Sequence, residues 1–383
     1  MAVHSVLGRF VALSLAVLVS RTCRSQEMNV WYYNATDKVI SNDVWKLPVA
    51  SLSGSTLTFD KNKASSVTGS GALDLCDLYL RTANGSLVEI TRLALATSGA
   101  NGSIFTGSAA FTSICADDVS YVPTACFKNC TALENLSLAY HPAAPKSMPN
   151  EAFRNCTKLK CPVGQFLPPW ITKVGYYMLA DTPVTGRLAL TNLTSFTLNN
   201  VNNSYAFGGT AIEDAYLKGP FTTLPPYVFY GAGKLQSLEV DAELSSIGNK
   251  AFQSCPALLS LAFHGRRAFT LSTSSTAYNF NSSTKLASVT FDGAPLQSAD
   301  IDRILAGVTA VAATASKGKG CTIFASRRFA DGGWRALAAP LEGNEIAYRP
   351  DGTFGVFRNG SRKAWMVHRS SPYDPHHLLF SVQ

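Results

Sequence analysis

One set of apolar positions recurs along the middle of the chain. A full copy has an aromatic anchor, an aliphatic residue five positions before it, and a proline or glycine next to that aliphatic. A leucine follows six positions after the anchor, and apolar residues follow at nine and eleven positions. The anchors are separated by 22, 26, 26, 28, 22, 23 and 28 residues, a period that indicates a stack of repeated units. They are Phe105, Phe127, Phe153, Leu179, Phe207, Phe229, Phe252 and Phe280.

The spacing within a copy predicts the path of one coil. The last two apolar residues alternate with period two, so their side chains point to one face of a short strand. The anchor and the preceding aliphatic belong to the returning part, where proline or glycine favours a turn. A single coil cannot bury its apolar side, whereas stacked coils pair their strands at ~4.8 Å and share one core. We therefore expect a solenoid in which each coil has a β-strand and a turn or short helix.

Two copies contain the full motif A-F-x-x-C-x-x-L and a third contains it without the alanine, whereas the copies at Leu179 and Phe207 lack its cysteine and leucine. The motif resembles the BspA-like leucine-rich repeats over residues 91–295. The resemblance implies a leucine-rich-repeat solenoid that is usually extracellular, associated with adhesion or host-protein binding, and not catalytic. The matching residues are Ala152, Phe153, Cys156 and Leu159; Ala251, Phe252, Cys255 and Leu258; and Phe127, Cys130 and Leu133, with Cys126 in place of the alanine.

The N-terminus reads as a signal peptide, residues 1–25. His4 and Arg9 lie in a short polar start, and an apolar run of about ten residues ends at Val19. A membrane-spanning helix needs ~20 apolar residues, so this run is too short to be one. A lipoprotein acylated at Cys23 and a buried N-terminal helix are the alternatives. We therefore expect a secreted or cell-surface protein whose mature chain has no transmembrane segment.

The flanks of the repeat have different patterns. Residues 26–90 alternate as strands do, which predicts a β-rich N-terminal cap, with a separate ligand-binding domain as the alternative. Residues 296–370 predict a small α+β unit, either a cap or a domain, and residues 371–383 predict a flexible tail that includes His376 and His377. The predicted helices are 299–315 and 327–337, and the predicted strands are 321–324, 346–348, 355–357 and 364–367.

The nine cysteines leave eight after removal of Cys23, an even number that permits disulfides in an oxidising compartment. Cys130, Cys156 and Cys255 recur at the third position after an anchor, where a small buried residue fits. They form either a reduced ladder or, between Cys130 and Cys156, a disulfide. Other cysteines lack this role and are expected to be cross-link partners. They are Cys115, Cys126 and Cys161.

The sequence contains no recognisable catalytic or nucleotide-binding motif and no complete set of metal ligands, so we expect a non-enzymatic protein without cofactor or metal. In a curved solenoid the concave face is the usual binding surface. Its exposed residues flank the apolar pair of each strand and are mostly small and polar. The candidates for ligand binding are Arg187, Tyr216, Glu239, Asp241 and His264.

The net charge is +8, and residues 317–369 contribute ten basic and four acidic residues. A basic patch there would attract an acidic partner such as a polysaccharide, although an ordinary solvated surface is the alternative. Because the chain is expected to be exported, we do not expect nucleic acid to be its partner. Ten N-x-S/T sequons are also present, which a eukaryotic host would glycosylate and a bacterium would not. The basic patch comprises Arg327, Arg328, Arg335, Arg358, Arg362 and Lys363.

These patterns support three functional hypotheses. The first is an exported protein that presents a repeat surface for adhesion or for recognition of an extracellular protein or glycan. The alternative is a structural component of the cell envelope, attached through the basic C-terminal unit. The third is an enzyme with its activity in that unit. The sequence does not define the oligomeric state.

The basic patch predicts binding to immobilised heparin, because clustered Lys and Arg attract sulfated polysaccharide. We expect the chain to elute at lower salt when residues 317–369 are deleted. Unchanged elution would remove the patch from consideration.

Overall fold

A computed structural model describes residues 28–265 with their side chains and, beyond them, only the backbones of seven strands. The predicted signal peptide, anchor Phe280, both C-terminal helices and the side chains of the basic patch lie outside the described residues. Within residues 28–265 the helices are two short 3-10 segments, Lys61–Ser66 and Val163–Gln165. No helix in that part has the length and apolar character needed to span a membrane.

The first part of the chain is a strand-rich sheet, as its alternating pattern predicts. Its strand order is β10-β9-β8-β4-β3-β2-β1-β6-β7, with β5 also paired to β9. β9, the strand of the first coil, pairs in parallel with β5 and β8 of the N-terminal part and with β10 of the next coil. The strands are β1 (Asn29–Asn34), β2 (Val39–Ser41), β3 (Lys46–Ser53), β4 (Thr56–Phe59), β5 (Gly71–Leu75), β6 (Leu78–Arg81), β7 (Leu87–Glu89), β8 (Arg92–Ala94), β9 (Phe111–Tyr121) and β10 (Asn135–Tyr140).

Each later coil contributes one strand to a second sheet, in which consecutive coils pair in parallel and in register. Leu188, Ala215, Leu238 and Leu261 of four consecutive coils are register partners in turn, and all four are buried. The buried residues are those that the period-two alternation predicts. The strands of this sheet in the repeat are β13 (Arg187–Leu190), β15 (Asp214–Lys218), β17 (Ser237–Asp241), β19 (Ser260–Phe263) and β21 (Ser288–Phe291).

In four coils the aliphatic residue five positions before the anchor lies in a strand of two residues, β11, β12, β16 or β18. These strands, with β14 and β20, form two further ladders, β11-β12-β14 and β16-β18-β20. The proline or glycine that follows it marks a close approach between coils. A Cβ on Gly175 would lie 2.4 Å from the carbonyl carbon of Pro149, so only glycine fits. These strands are β11 (Ser147–Met148), β12 (Lys173–Val174), β14 (Ser195–Phe196), β16 (Thr223–Leu224), β18 (Ser246–Ile247) and β20 (Thr270–Leu271).

A proline separates the two large sheets. The coil anchored by Phe153 places Pro162 nine positions after the anchor, where its neighbours have the first apolar residue of their strands, Leu136 and Leu188. Because proline has no N–H to donate, it interrupts a ladder of parallel strands. Here Pro162 makes only an isolated bridge to Thr185, and the sheet starts again at β13.

The anchors form a continuous row through the centre of the core. All seven described anchors are fully buried, and the rings of the six phenylalanines stack from coil to coil in two runs of three. The ring centroids of Phe105 and Phe127 are 5.1 Å apart, and those of Phe127 and Phe153 are 5.5 Å apart. At the Leu179 copy the stack is interrupted, and Phe166 packs on Phe153 instead at 4.7 Å. The aromatic stack then resumes between Phe207 and Phe229 at 5.1 Å.

The turns around the anchors hold the coils together through their backbones. The anchor N–H donates to the carbonyl of the residue before the next anchor, as from Phe127 to Ala152 at 2.7 Å. In most coils the residues two before and two after the anchor are left-handed, such as Tyr177 at φ +52° and Asn155 at φ +59°. This paired reversal forms the turns that occupy the place of the predicted turn or short helix.

The recurring cysteine has a specific partner. Cys130 Sγ donates to the carbonyl oxygen of Phe105 at 2.9 Å, and Cys156 Sγ donates to that of Phe127 at 2.9 Å. At the Leu179 copy Thr182 donates to Phe153 in the same way. The position therefore requires a small side chain, which is a donor in these copies and is Ala232 in the Phe229 copy. Burial keeps the thiol protonated, because it raises the pKa of Cys255 to about 12.

The predicted cross-links need correction. Cys115 is cross-linked, to Cys76, but Cys126 and Cys161 are buried free thiols. Cys126 occupies the alanine position beside an anchor, and Cys161 Sγ donates to the carbonyl oxygen of Leu136 at 3.6 Å, so both are internal repeat residues. Cys130, Cys156 and Cys255 are also free, in agreement with a reduced ladder.

The C-terminal strands continue the second sheet, with β22 parallel to β21 and then the antiparallel order β22-β26-β25-β24-β23. The prediction of a flexible tail over 371–383 is wrong for its last part, since 377–382 pairs with two strands. The sequence there contains Phe380 and Val382, residue types that are enriched in strands. These strands are β22 (Thr322–Ser326), β23 (Asn344–Tyr348), β24 (Phe354–Arg358), β25 (Ala364–Arg369) and β26 (His377–Val382).

Phe127 tests the importance of the stacked anchors, because its ring packs between Phe105 and Phe153. We expect Phe127→Ala to lower the free energy of unfolding by about 3–5 kcal/mol, the usual cost of truncating a buried phenylalanine. Tyr32→Ala is the control, since Tyr32 is 60% exposed and its loss should cost under about 0.5 kcal/mol. Equal costs in chemical denaturation would contradict a core role for Phe127.

Candidate functional site

The outward side chains of β13, β15, β17 and β19, together with His264, form the repeat face. Strand register fixes their rows: Arg187 is aligned with Asp214 and Ser237, and Tyr216 is aligned with Glu239. The inward residues of the same strands are buried, so the face is supported from behind by a packed core. Its side chains are therefore held at coil spacing.

Three polar residues of neighbouring coils meet at Asp241. Lys218 Nζ lies 2.7 Å from Asp241 Oδ2, and the Tyr216 hydroxyl lies 3.4 Å from the same oxygen. Burial raises the pKa of Tyr216, with the carboxylates of Asp241 and Glu239 adding to the rise and Lys218 opposing it. The hydrogen bond to Asp241 raises the pKa of Lys218, so its ammonium stays charged at neutral pH. The group presents a phenol, an ammonium and a carboxylate together.

A second pair lies next to this group. His264 Nε2 is 3.2 Å from Glu239 Oε1, and Glu239 is the register partner of Tyr216. Arg187 is exposed at the other end of the face, on β13, and is aligned with Asp214. The structure thus joins four of the five predicted residues in two adjacent groups and leaves Arg187 on the first strand.

Lys218 was not among the residues predicted from the sequence. Its position was readable, because it follows Tyr216 by two residues and therefore points to the same side of β15. Lys218 lies one residue after the last apolar position of its strand, the place that Asp241 and His264 occupy in their own coils. Alternation along the strands also gives the outward direction of Asp214 and Ser237. The Ser237 hydroxyl donates a hydrogen bond to Asp214 of the neighbouring coil.

A second exposed surface, the tyrosine ladder, lies on the turns and was not predicted. It consists of Tyr177, Tyr205, Tyr227 and Tyr230, all half-buried. The first three stand two positions before successive anchors, and their rings stack with centroids 5.2 Å and 4.5 Å apart. The rise in the pKa of Tyr205 to about 12 comes from burial and from the neighbouring tyrosines. The sequence feature that could have predicted this ladder is a tyrosine two positions before each of three successive anchors.

Charged groups flank the ladder. The Arg154 guanidinium lies 4.3 Å above the ring of Tyr177, and Lys250 Nζ lies 5.5 Å from the ring centre of Tyr227. Glu151 bridges Arg154 and Lys128 with contacts of 2.6 Å each. Burial alone would raise the pKa of Glu151, but the hydrogen bonds and charges of Lys128 and Arg154 outweigh it and lower that pKa.

Comparison with protein families gives one result. The model of the BspA-type leucine-rich-repeat region matches six copies, over residues 100–199 and 199–303, which is just over half of the 383 residues. The matched span includes the predicted anchors from Phe105 to Phe280. A search of curated proteins finds no significant match to the chain.

The Lys218–Asp241 pair is expected to contribute little to stability. Its side chains are 52% and 37% exposed, and pairs of that kind contribute about 0–1 kcal/mol. Lys218→Met should therefore leave the chemical denaturation curve close to that of the wild type. A marked shift of that curve to lower denaturant would make Lys218 a structural residue.

Glu151 is expected to make the stability of the fold depend on pH. A carboxylate whose pKa is lower in the folded chain stabilises the fold above its unfolded pKa, and this contribution disappears as the pH falls through the folded value. Glu151→Gln should therefore be less stable than the wild type at pH 7, and the difference should shrink in acid. Denaturation curves from neutral to acidic pH measure it, and a pH-independent difference would be the contrary result.

Proposed function

Because the chain belongs to the BspA-type leucine-rich-repeat family, we propose that it is an exported, non-enzymatic protein that binds an extracellular protein or glycan through the repeat face. The repeats supply a rigid scaffold, and the outward side chains supply recognition. This division is general in solenoids, whose extended surfaces are used for binding.

The observation that carries the proposal is the grouping of Tyr216, Lys218 and Asp241 beside Glu239 and His264. Strand pairing fixes these groups relative to one another, and cross-coil contacts restrict their rotamers before any partner arrives. Pre-organised side chains lose less entropy on binding, which favours affinity. Tyrosine is among the residues that most often dominate binding energy at interfaces.

Export has support from the N-terminal part of the structure. The disulfide between Cys76 and Cys115 is of the type that persists in oxidising compartments and is rare in the cytosol. The signal-like N-terminus points the same way. Family membership adds to both, because the resemblance implies surface or secreted proteins.

The chemistry of the partner follows from the balance of charges on the repeat face. Arg187 and Lys218 are basic, whereas Asp214, Glu239 and Asp241 are acidic. A face with both signs favours a partner with hydrogen-bonding groups and mixed charge over a strongly acidic polymer. The expectation of an acidic partner therefore depends on the basic C-terminal patch alone.

A binding assay with matched variants tests the proposal. The labelled full-length chain is applied to a panel of extracellular-matrix proteins and printed glycans, and the triple variant Arg187→Ala, Tyr216→Ala, Glu239→Ala is applied to any probe that it binds. We expect the variant to bind at least roughly tenfold more weakly, since truncation of an interface hot spot costs about 2 kcal/mol or more and a tenfold loss corresponds to about 1.4 kcal/mol.

The control changes the same residue types outside the repeat face. Arg81→Ala, Tyr32→Ala and Glu89→Ala alter exposed residues of the N-terminal sheet and should leave binding unchanged. Equal affinity of the repeat-face variant and the wild type would contradict the proposed surface. Absence of binding to every probe in the panel would count against the proposed partner class.

A further inference from the structure

Half of the asparagines in the chain belong to one short motif. Ten of the 20 asparagines are followed two positions later by serine or threonine, with no proline between them, which is the acceptor motif for N-linked glycosylation. Serine and threonine make up 70 of the 383 residues, so chance placement would give roughly four such motifs. The repeat explains only Asn129 and Asn155, which stand at its N-C-T turn. The excess therefore has a cause other than the fold.

The structure places the described members of this set at the surface. Seven of the eight acceptor asparagines in residues 28–265 are exposed, and the eighth, Asn155, is half-buried and donates through Nδ2 to Asn129 Oδ1 at 3.0 Å. Carbohydrate on the exposed seven would extend into solvent without disturbing the core. The seven are Asn34, Asn84, Asn101, Asn129, Asn135, Asn192 and Asn202.

A second observation places these motifs in a suitable compartment. The Cys76–Cys115 disulfide indicates folding under oxidising conditions, as in the lumen of the endoplasmic reticulum, where N-linked glycans are added. The excess of motifs, their exposure and the disulfide are independent of one another. All three agree with passage through a eukaryotic secretory pathway.

We propose that the chain is N-glycosylated on the seven exposed acceptor asparagines, an inference that rests on the proposed export. The donor is an oligosaccharide carried on a lipid diphosphate and transferred by a host enzyme. The asparagine Nδ2 attacks the anomeric carbon, an N–C bond forms, and the C–O bond to the diphosphate breaks. The amide loses one proton to a base, and the lipid diphosphate is the leaving group.

The distribution of the acceptors gives the glycans a role in binding. No acceptor lies between Asn202 and Asn281, so β15, β17 and β19 belong to a glycan-free stretch. Tyr205, Tyr227 and Tyr230 of the tyrosine ladder belong to the same stretch. The N-terminal sheet and the first coils carry the glycans, while the central part of the repeat face stays open to a partner.

Translation with microsomes from a eukaryotic cell tests the sites. The full chain is made with its own residues 1–25 and, in parallel, with a leader of known secretory function in their place. Protection from added protease reports translocation, and a mobility shift reversed by peptide-N-glycosidase reports glycans. Thr36→Ala, Ser86→Ala and Thr131→Ala should each remove one glycan, because each deletes one motif at an exposed position.

The controls keep the motif while changing the same position. Thr36→Ser, Ser86→Thr and Thr131→Ser should leave the number of glycans unchanged. A translocated chain without a shift would overturn the proposal, as would alanine variants that shift like the wild type. If only the chain with the replacement leader is translocated and glycosylated, the export signal fails and the glycan sites stand.

The protein recovered from its natural source gives the final test. We expect peptide-N-glycosidase to increase its mobility and to convert Asn34, Asn84 and the other modified asparagines to aspartate. Unchanged mobility together with unmodified asparagine in those peptides would overturn the proposal.

Discussion

The structure depends on one constraint: a coil can bury its apolar side only against the next coil. The anchor rings, the inward residues of the strands and the short aliphatic ladders all face the shared interior. Most anchors also donate their backbone N–H to a carbonyl of the following coil. Packing and hydrogen bonding therefore fix the same spacing between coils. A coil out of register would lose both, which is why the positions of the outward side chains are also fixed.

Much of this was readable from the sequence, because period and alternation follow from burial. The anchor positions, the inward residues of the strands and the aliphatic five positions before the anchor are all places where burial selects residue type. The left-handed residues two positions before the anchors were not readable, because tyrosine, glutamate and lysine there occupy a conformation that usually selects glycine or asparagine. The donor role of Cys130 and Cys156 depends on a carbonyl of the preceding coil, and sequence spacing does not show that contact.

The candidate site was predictable in part for the same reason. Alternation along a strand correctly gives the outward direction of Tyr216, Glu239 and Asp241, but it does not say which outward residues meet. The contact of Lys218 with Asp241 depends on strand register, which the structure supplies. Pro162 shows a further limit: the sequence shows the proline, whereas the division into two large sheets depends on how its neighbours pair.

Hydrogen exchange at the anchor amides measures the central constraint most directly. The N–H groups of Phe127, Phe153 and Phe229 donate to the next coil at 2.7, 2.9 and 3.0 Å and lie in the core. If the coils form one interlocked stack, these amides exchange only when the stack opens, far more slowly than amides of exposed turns such as Gly85. Exchange of the anchor amides as fast as that of Gly85 would contradict the stack.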